Sequence, residues 1–240
     1  MINRVWSQCL AAITFYTSLP IPTSANLEFR AISRLAPIVG FVIGGLVGGL
    51  DLSLAYVGVP ILTRSAIDVA LWVAITGGLH LDGAMDTADG LAVMNPDRRL
   101  AVMADSATGA FGAMTAVILL LLKTVALSEI STNRLWILIG VAGWGRWGQL
   151  VAIAKYPYLK PTGKGAFHKE GIRSLWEAVP TFVILVGLSL KVHPAMIGGS
   201  AIALFVGAWL NRKLGGQTGD TYGAIVEWTE ALLLCLLTAI

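Results

Sequence analysis

The sequence has few charged residues. Lys, Arg, Asp and Glu make up 13% of its 240 residues, whereas hydrophobic residues make up 56%. A soluble domain carries about one-quarter charged residues, so this composition excludes an ordinary soluble protein and indicates an integral membrane protein. The chain also lacks a charged N-terminal region followed by a clean apolar core and a small-residue cleavage site. We therefore expect no cleavable signal peptide.

Cysteine is scarce as well. Cys9 and Cys235 are the two cysteines, and they lie far apart in apolar stretches. This pattern is typical of small buried hydrophobic side chains, and it excludes a disulfide framework or a cysteine metal site. The net charge of +3 is too small to indicate a nucleic-acid partner.

Long apolar runs predict an all-α fold, a polytopic membrane bundle, because each span needs about 20 apolar residues. No repeat or linker interrupts the chain, so we expect a single domain over residues 1–240. Residues 5–19 are too few to span, and they predict an interfacial or re-entrant helix that Pro20 and Pro22 end. We expect about seven spans, over residues 36–58, 66–81, 110–128, 135–154, 178–192, 195–210 and 223–240.

Lys and Arg are distributed unequally between the loops. Twelve lie in segments that the predicted spans place on the same side of the membrane as the N-terminus. Three lie in loops on the other side of the membrane. Cytoplasmic loops carry the excess of Lys and Arg in membrane proteins. We therefore expect the N-terminus and the polar motifs described below to face the cytoplasm.

An acidic motif, GGLHLDGAMDTADGL, occupies residues 77–91. Asp82, Asp86 and Asp89 fall on one helical face at 3.6 residues per turn. Stacked carboxylates repel one another unless a cation lies between them, and Mg²⁺ takes oxygen ligands while leaving room for substrate phosphates. We predict that these aspartates bind Mg²⁺ and act in catalysis, with Asp105 as a fourth metal ligand. A solvated acidic helix end is the alternative.

His80 lies two residues before the first of these aspartates. It could accept a proton as a general base, or it could donate a hydrogen bond that orients Asp82. A histidine with satisfied hydrogen bonds at the end of a span is an equal alternative.

A glycine-rich motif, LGGQTGDTYG, occupies residues 214–223, just before the last predicted span. Backbone N–H groups at such a turn and at a helix N-terminus favour an anion. A loop without a ligand is the alternative, and an aspartate beside a phosphate would need a metal or an arginine. The residues that we predict to bind substrate phosphate here are Gly216, Thr218, Gly219, Asp220 and Thr221.

Two acids lie in the first turns of the last predicted span. Because an acid inside a span is costly, it usually faces a polar cavity and marks function. We predict that Glu227 lines the substrate site, whereas Glu230 either does so or pairs with Arg146 or Lys123. The basic loop at residues 156–169 could bind substrate phosphates or the headgroups of membrane lipids.

These motifs resemble those of the cobalamin synthase family, the adenosylcobinamide-GDP ribazoletransferases. The resemblance covers the whole chain, through FYTSLPIP at 15–22, the acidic motif, ADSATGAFG at 104–112, YPY at 156–158 and NRKLGGQTGDTYGAIVEWTE at 211–230. It implies a Mg²⁺-dependent, multi-pass enzyme of the prokaryotic cytoplasmic (inner) membrane. Such an enzyme joins adenosylcobinamide-GDP to α-ribazole or its 5′-phosphate, releasing GMP and forming adenosylcobalamin or its phosphate. Its expected partners include a second copy of the chain and other late cobalamin-pathway enzymes.

The sequence departs from the family pattern at three positions. Ser18, Ala104 and Ala107 stand where the family commonly has a basic residue. We expect this loss of positive charge to weaken binding of the substrate pyrophosphate unless arginines elsewhere supply it. Arg34 and Arg146 are the arginines that we predict to bind substrate.

The sequence also admits two other functions. A CDP-alcohol phosphotransferase uses a similar aspartate pattern, which Asp86 to Gly90 matches, but Val93 stands where that pattern has arginine. A cation or proton transporter could use intramembrane acids, yet transporters usually hold their site near the midplane between repeats. Here no repeat is visible, and the polar motifs are expected at one face.

Overall fold

The structure is a computed structural model that describes residues 2–21, 27–160, 169, 171–172 and 174–239. These residues include ten α-helices and no β-strand beyond one isolated bridge, which confirms the predicted all-α bundle. The helices are α1 (Ile2–Tyr16), α2 (Ala36–Tyr56), α3 (Ile61–Ile75), α4 (Leu79–Ala92), α5 (Arg99–Val102), α6 (Ala110–Glu129), α7 (Arg134–Lys155), α8 (Val179–Val192), α9 (Gly198–Leu214) and α10 (Gly219–Thr238). Short 3-10 turns precede α2, α5, α8 and α9.

Among the described residues, six helices are long and apolar enough to cross a membrane: α2 and α6 to α10, some extended by their 3-10 turns. The predicted second span, 66–81, is wrong as a single helix. α3 and α4 together pass the same test, but they are bent by 88°. The bend falls at Gly77 and Gly78, which have positive φ angles of 59° and 71°. The described residues therefore give six spans, or seven if the bent pair counts as one, and the residues after Leu81 continue as helix α4 to Ala92.

Helix α7 lies at the centre of the bundle, with 89% of its most apolar 18 residues buried. Glycines let α2 pack tightly against it. A Cβ at Gly40 would lie 2.5 Å from the carbonyl oxygen of Ala142, and a Cβ at Gly48 would lie 2.8 Å from the Cα of Leu135. Small residues at a four-residue spacing allow such close helix approach.

The N-terminal helix exists as predicted but ends at Tyr16, before Pro20. Ser18 then fixes the chain to the end of α3, because its backbone N–H donates to the carbonyl oxygen of Ile75 at 2.7 Å. Its hydroxyl donates to the carbonyl oxygen of Ala74 at 2.7 Å. The end of α1 is thereby held beside the bend that begins α4. Pro22 lies outside the described residues, and the position of α1 relative to the membrane stays a prediction.

A buried ion-pair network joins α2, α3 and α7 at the end of the bundle where α7 begins. Arg134 donates to Asp51 at 2.9 Å and to Asp68 at 3.0 Å, and all three side chains are buried. Arg64 lies 3.6 Å from the other oxygen of Asp51. Each of these buried charges therefore has an opposite charge beside it, at the end of the bundle away from the acidic and glycine-rich motifs.

Candidate functional site

Helices α4 and α10 cross closely because each has a glycine at the contact. A Cβ at Gly83 would lie 2.7 Å from the carbonyl oxygen of Asp220, and a Cβ at Gly223 would lie 2.7 Å from that of His80. Real side chains avoid such distances, so no other residue fits either position without moving a helix. The crossing brings the acidic motif and the glycine-rich motif into contact, although they are far apart in sequence.

The turn before α10 has a defined hydrogen-bond pattern. Gly215 ends α9 with a φ of +82°, a left-handed conformation that glycine adopts without strain. Thr218 and Thr221 then form a reciprocal capping box: the Thr221 N–H donates to the Thr218 hydroxyl oxygen at 3.2 Å, and the Thr218 N–H donates to the Thr221 hydroxyl oxygen at 2.8 Å. Both threonines are fully buried. Their hydroxyls thus hold the start of α10, and their contact with phosphate stays a prediction.

The YPY segment packs against the same turn. The Gln217 N–H donates to the carbonyl oxygen of Pro157 at 2.8 Å, and the Leu159 N–H donates to that of Gln217 at 2.9 Å. Gly216 permits this approach, since a Cβ there would lie 2.6 Å from the side chain of Leu159. The pairing positions Lys160, whose Nζ donates to Asp220 Oδ2 at 2.9 Å. The first part of the basic loop therefore reaches the glycine-rich motif; residues 161–168 lie outside the described residues.

Carboxylates from both motifs gather where α4 meets α10. Asp86 is half-buried, and the charges that act on it come from Asp82, Asp220 and Asp89, with Lys160 as the opposing positive charge. Asp82 is exposed, and Asp220 retains 22% of its side-chain exposure. The helical spacing placed the first two acids together, while Asp220 joins them through the fold.

Asp89 and Asp105 have local partners as well. Asp89 accepts hydrogen bonds from the backbone N–H groups of Gly109 and Gly112, both at 2.8 Å, and so holds the N-terminus of α6. Asp105 is exposed and accepts from the Ala107 N–H at 3.1 Å. In the described ranges, no three His, Cys, Asp or Glu side chains form a metal-binding group by themselves. That Asp82, Asp86, Asp89 and Asp105 bind a metal ion stays a prediction.

A cavity of about 380 Å³ lies beside the carboxylates. Asp82 and Asp220 line it, and His80, 2% exposed, forms part of its wall with its ring stacked on Tyr16 at 6.2 Å between centroids. Sequence analysis missed Gln149, which extends into this cavity from α7. The available signal was an uncharged amide inside a predicted span. The other lining residues are Phe15, Leu79, Gly83, Gly219, Tyr222 and Gly223.

The acids of α10 form a buried ion cluster. Lys123 Nζ lies 2.6 Å from Glu227 and 2.6 Å from Glu230, and Arg146 also pairs with Glu230. Glu230 thus pairs with both basic residues that the sequence offered as partners. Glu227 and Arg146 do not line the 380 Å³ cavity. Their predicted contact with substrate stays a prediction.

Arg34 forms contacts separate from the buried ion cluster of α10. It donates to Glu177 at 2.6 Å and to the carbonyl oxygen of Gly171 at 2.8 Å. These bonds join the 3-10 turn before α2 to the one before α8. The predicted role of Arg34 in binding substrate is not tested by this arrangement.

The fold and the site define a class: a polytopic, all-α membrane protein with a carboxylate-rich site and an aromatic-lined cavity at one end of the bundle. The chain belongs to the cobalamin-5-phosphate synthase family, whose model matches residues 8–238. This match confirms the resemblance inferred from the motifs. No solved structure matches the chain.

Several similar proteins carry the name adenosylcobinamide-GDP ribazoletransferase. The one from Trichormus variabilis is 58% identical, over 99% of each chain. The one from Synechococcus is 50% identical, over 97% of this chain and 96% of its own length. The one from Thermosynechococcus vestitus is 47% identical, over 99% and 98%. The family is therefore one of transferases in cobalamin biosynthesis, which confirms the prediction of an enzyme.

Proposed function

We propose that this chain joins adenosylcobinamide-GDP to α-ribazole or its 5′-phosphate in a Mg²⁺-dependent reaction. The products are GMP and adenosylcobalamin or its 5′-phosphate. The observation that supports this proposal best is the meeting of Asp82 and Asp86 with Asp220 and Lys160 beside one cavity. It occurs in a chain whose relatives, named for this transfer, match nearly its whole length.

The donor set of the site suits Mg²⁺. Carboxylate oxygens are hard ligands, and Mg²⁺ is commonly bound through one or two carboxylates together with substrate phosphates, without a closed protein cage. Asp82 and Asp86 would hold the ion, with Asp89 and Asp105 as further ligands. When bound, it would neutralise charge on the diphosphate of the substrate and on the leaving group.

The residues of the chain would orient the two substrates and accept a proton. A ribose hydroxyl of α-ribazole attacks the phosphorus attached to the corrinoid, the bond from that phosphorus to the GMP oxygen breaks, and GMP leaves. A carboxylate of the site or His80 accepts the hydroxyl proton. Lys160 and the start of α10 would position the phosphates and the guanosine end through charge and backbone N–H groups.

We place this reaction at the cytoplasmic face of the prokaryotic inner membrane. The excess of Lys and Arg lies in loops on the side of the two motifs, which supports this orientation. A cavity at headgroup level would admit the large corrinoid while excluding bulk water. Self-association and contact with other late cobalamin-pathway enzymes remain expectations.

The test uses purified protein in detergent with adenosylcobinamide-GDP and α-ribazole 5′-phosphate, with Mg²⁺ or with EDTA. Metal-dependent release of GMP, matched by a new corrinoid, is expected. Absence of release by folded protein supplied with both substrates would contradict the proposal. The variant Asp86→Asn should lose release, whereas Asp97→Asn should retain it, because Asp97 is an exposed residue in the 3-10 turn before α5.

A further inference from the structure

The cavity beside the carboxylates contains buried polar groups without protein partners. Gln149 is 4% exposed, and no described residue donates a hydrogen bond to its Oε1. The Tyr222 hydroxyl, on a residue that is 2% exposed, likewise has no partner in the described ranges. Leaving such groups buried and unpaired is costly, so they indicate a ligand that supplies the missing hydrogen bonds.

The walls of the same cavity favour a flat ring. The rings of Tyr16 and His80 lie nearly parallel, at 10°, and Phe15 and Tyr222 add further aromatic surface. Aromatic surfaces of this kind bind nucleobases by stacking. A single purine or benzimidazole fits a cavity of about 380 Å³. The reaction offers three such bases: the guanine and the adenine of the donor, and the benzimidazole of α-ribazole.

We propose that this cavity binds the guanine of the GDP-activated donor, and that Gln149 recognises the edge of that base. The inference rests on the proposed function. Guanine carries the acceptor O6 next to the donor N1–H, and a carboxamide presents a donor next to an acceptor, so two hydrogen bonds form. The benzimidazole of α-ribazole has no N–H on its rings and would leave Gln149 Oε1 buried and unpaired.

The position of the charged groups agrees with this orientation. Asp82 and Asp220 line the cavity that holds Gln149, and Lys160 contacts Asp220. The guanosine of the donor is joined to the diphosphate, whereas its adenosyl group is joined to the cobalt of the corrinoid. Of the two purines, guanine is therefore the one expected beside the carboxylates proposed to hold Mg²⁺. The base then fixes the donor, and the diphosphate lies where the transfer takes place.

The test compares the binding of GMP and of N1-methyl-GMP to the full-length protein in detergent with Mg²⁺. The methyl group removes the N1–H, so the wild-type protein should bind GMP about tenfold more tightly, the order expected for one bidentate contact to a base edge. Gln149→Met should weaken GMP binding by a similar factor and remove the preference. Binding of α-ribazole 5′-phosphate should stay unchanged.

Thr87→Val is the matched control. Its hydroxyl is also buried without a partner in the described residues, but it lines a separate apolar cavity. This variant should bind GMP as the wild-type protein does. Equal affinity of the wild-type protein for GMP and N1-methyl-GMP would overturn the inference. This comparison uses only the wild-type protein, so it does not depend on the folding of a variant. Loss of α-ribazole 5′-phosphate binding in Gln149→Met would also overturn it, because the cavity would then hold the benzimidazole. Failure of the proposed function would give a different result, because the wild-type protein would then release no GMP from adenosylcobinamide-GDP.

Discussion

Replacing Gly83 with alanine should separate α4 from α10 at the site. A Cβ at this position would lie 2.7 Å from the carbonyl oxygen of Asp220 and 3.0 Å from its Cα. Ordinary contacts begin near 3.4 Å, so the gap must widen by about 0.7 Å. The neighbouring atoms belong to the backbone and cannot rotate away. The helix carrying Asp82 and Asp86 must therefore move relative to Asp220.

The expected cost to stability is modest, but the expected cost to activity is large. Overpacking of a close contact costs about 1–3 kcal/mol, and alanine in place of glycine returns about 1 kcal/mol of helix propensity. The net loss in the free energy of unfolding is then about 0–2 kcal/mol, which a folded membrane protein tolerates. A displacement near 1 Å among reacting groups can lower the rate about a hundredfold.

The assay measures GMP release and thermal unfolding in detergent for Gly83→Ala and for a control, Gly45→Ala. Gly45 lies on α2, and a Cβ there meets no atom within 4 Å. The control should keep full activity and gain slightly in stability, since alanine favours the helix. Normal activity of Gly83→Ala, or an equal loss in both variants, would refute the argument that this crossing sets the geometry of the site.

Three further predictions concern charged residues. Asp86→Asn should lower Mg²⁺-dependent GMP release about a hundredfold or more with little change in unfolding temperature, and near-normal turnover would contradict its role as a metal ligand. Asp89→Ala should, besides any loss of GMP release, lower the free energy of unfolding by about 1–2 kcal/mol, measured by thermal denaturation, because α6 loses both acceptors at its N-terminus; an unchanged transition would contradict this. Lys123→Met should lower the unfolding free energy by about 3–5 kcal/mol, because Glu227 and Glu230 each lose a buried partner. Adding Glu227→Gln to Lys123→Met should restore part of the lost unfolding free energy. No restoration would argue against an energetic coupling between Lys123 and Glu227.

The helical structure of the acidic motif and of the glycine-rich motif could be predicted from the sequence, because both depend on local rules. Helical periodicity places Asp82 and Asp86 on one face, and the structure has them on α4. The turn chemistry of the glycine-rich motif predicts a helix start, and the capping threonines provide it. The second role of Asp89 could not be predicted, because its partners at Gly109 and Gly112 come close only through the packing of α6 against α4.

The span at 66–81 was wrong for a physical reason. Hydropathy adds up apolar side chains, and it registers neither a change in helix direction nor a positive φ angle. The pair Gly77 and Gly78 was the signal available, since adjacent glycines mark turns. Without the bend, the three acids would follow the end of a straight span. With it, α4 lies against α10 and faces the second motif.

The two arginines predicted to bind substrate already have acidic partners, and their contact with substrate stays a prediction. Arg34 pairs with Glu177, and Arg146 pairs with Glu230, so both positive charges are already balanced. Among the acids nearest Asp86, Asp89 is balanced by the N-terminus of α6, while Asp82, Asp86 and Asp220 face the single positive charge of Lys160. Two negative charges are left over, which is the charge that one divalent cation neutralises. A diphosphate would add still more negative charge, and Ser18, Ala104 and Ala107 contribute no positive charge to oppose it. The proposed divalent cation would allow these carboxylates and the proposed anionic substrate to occupy the same site.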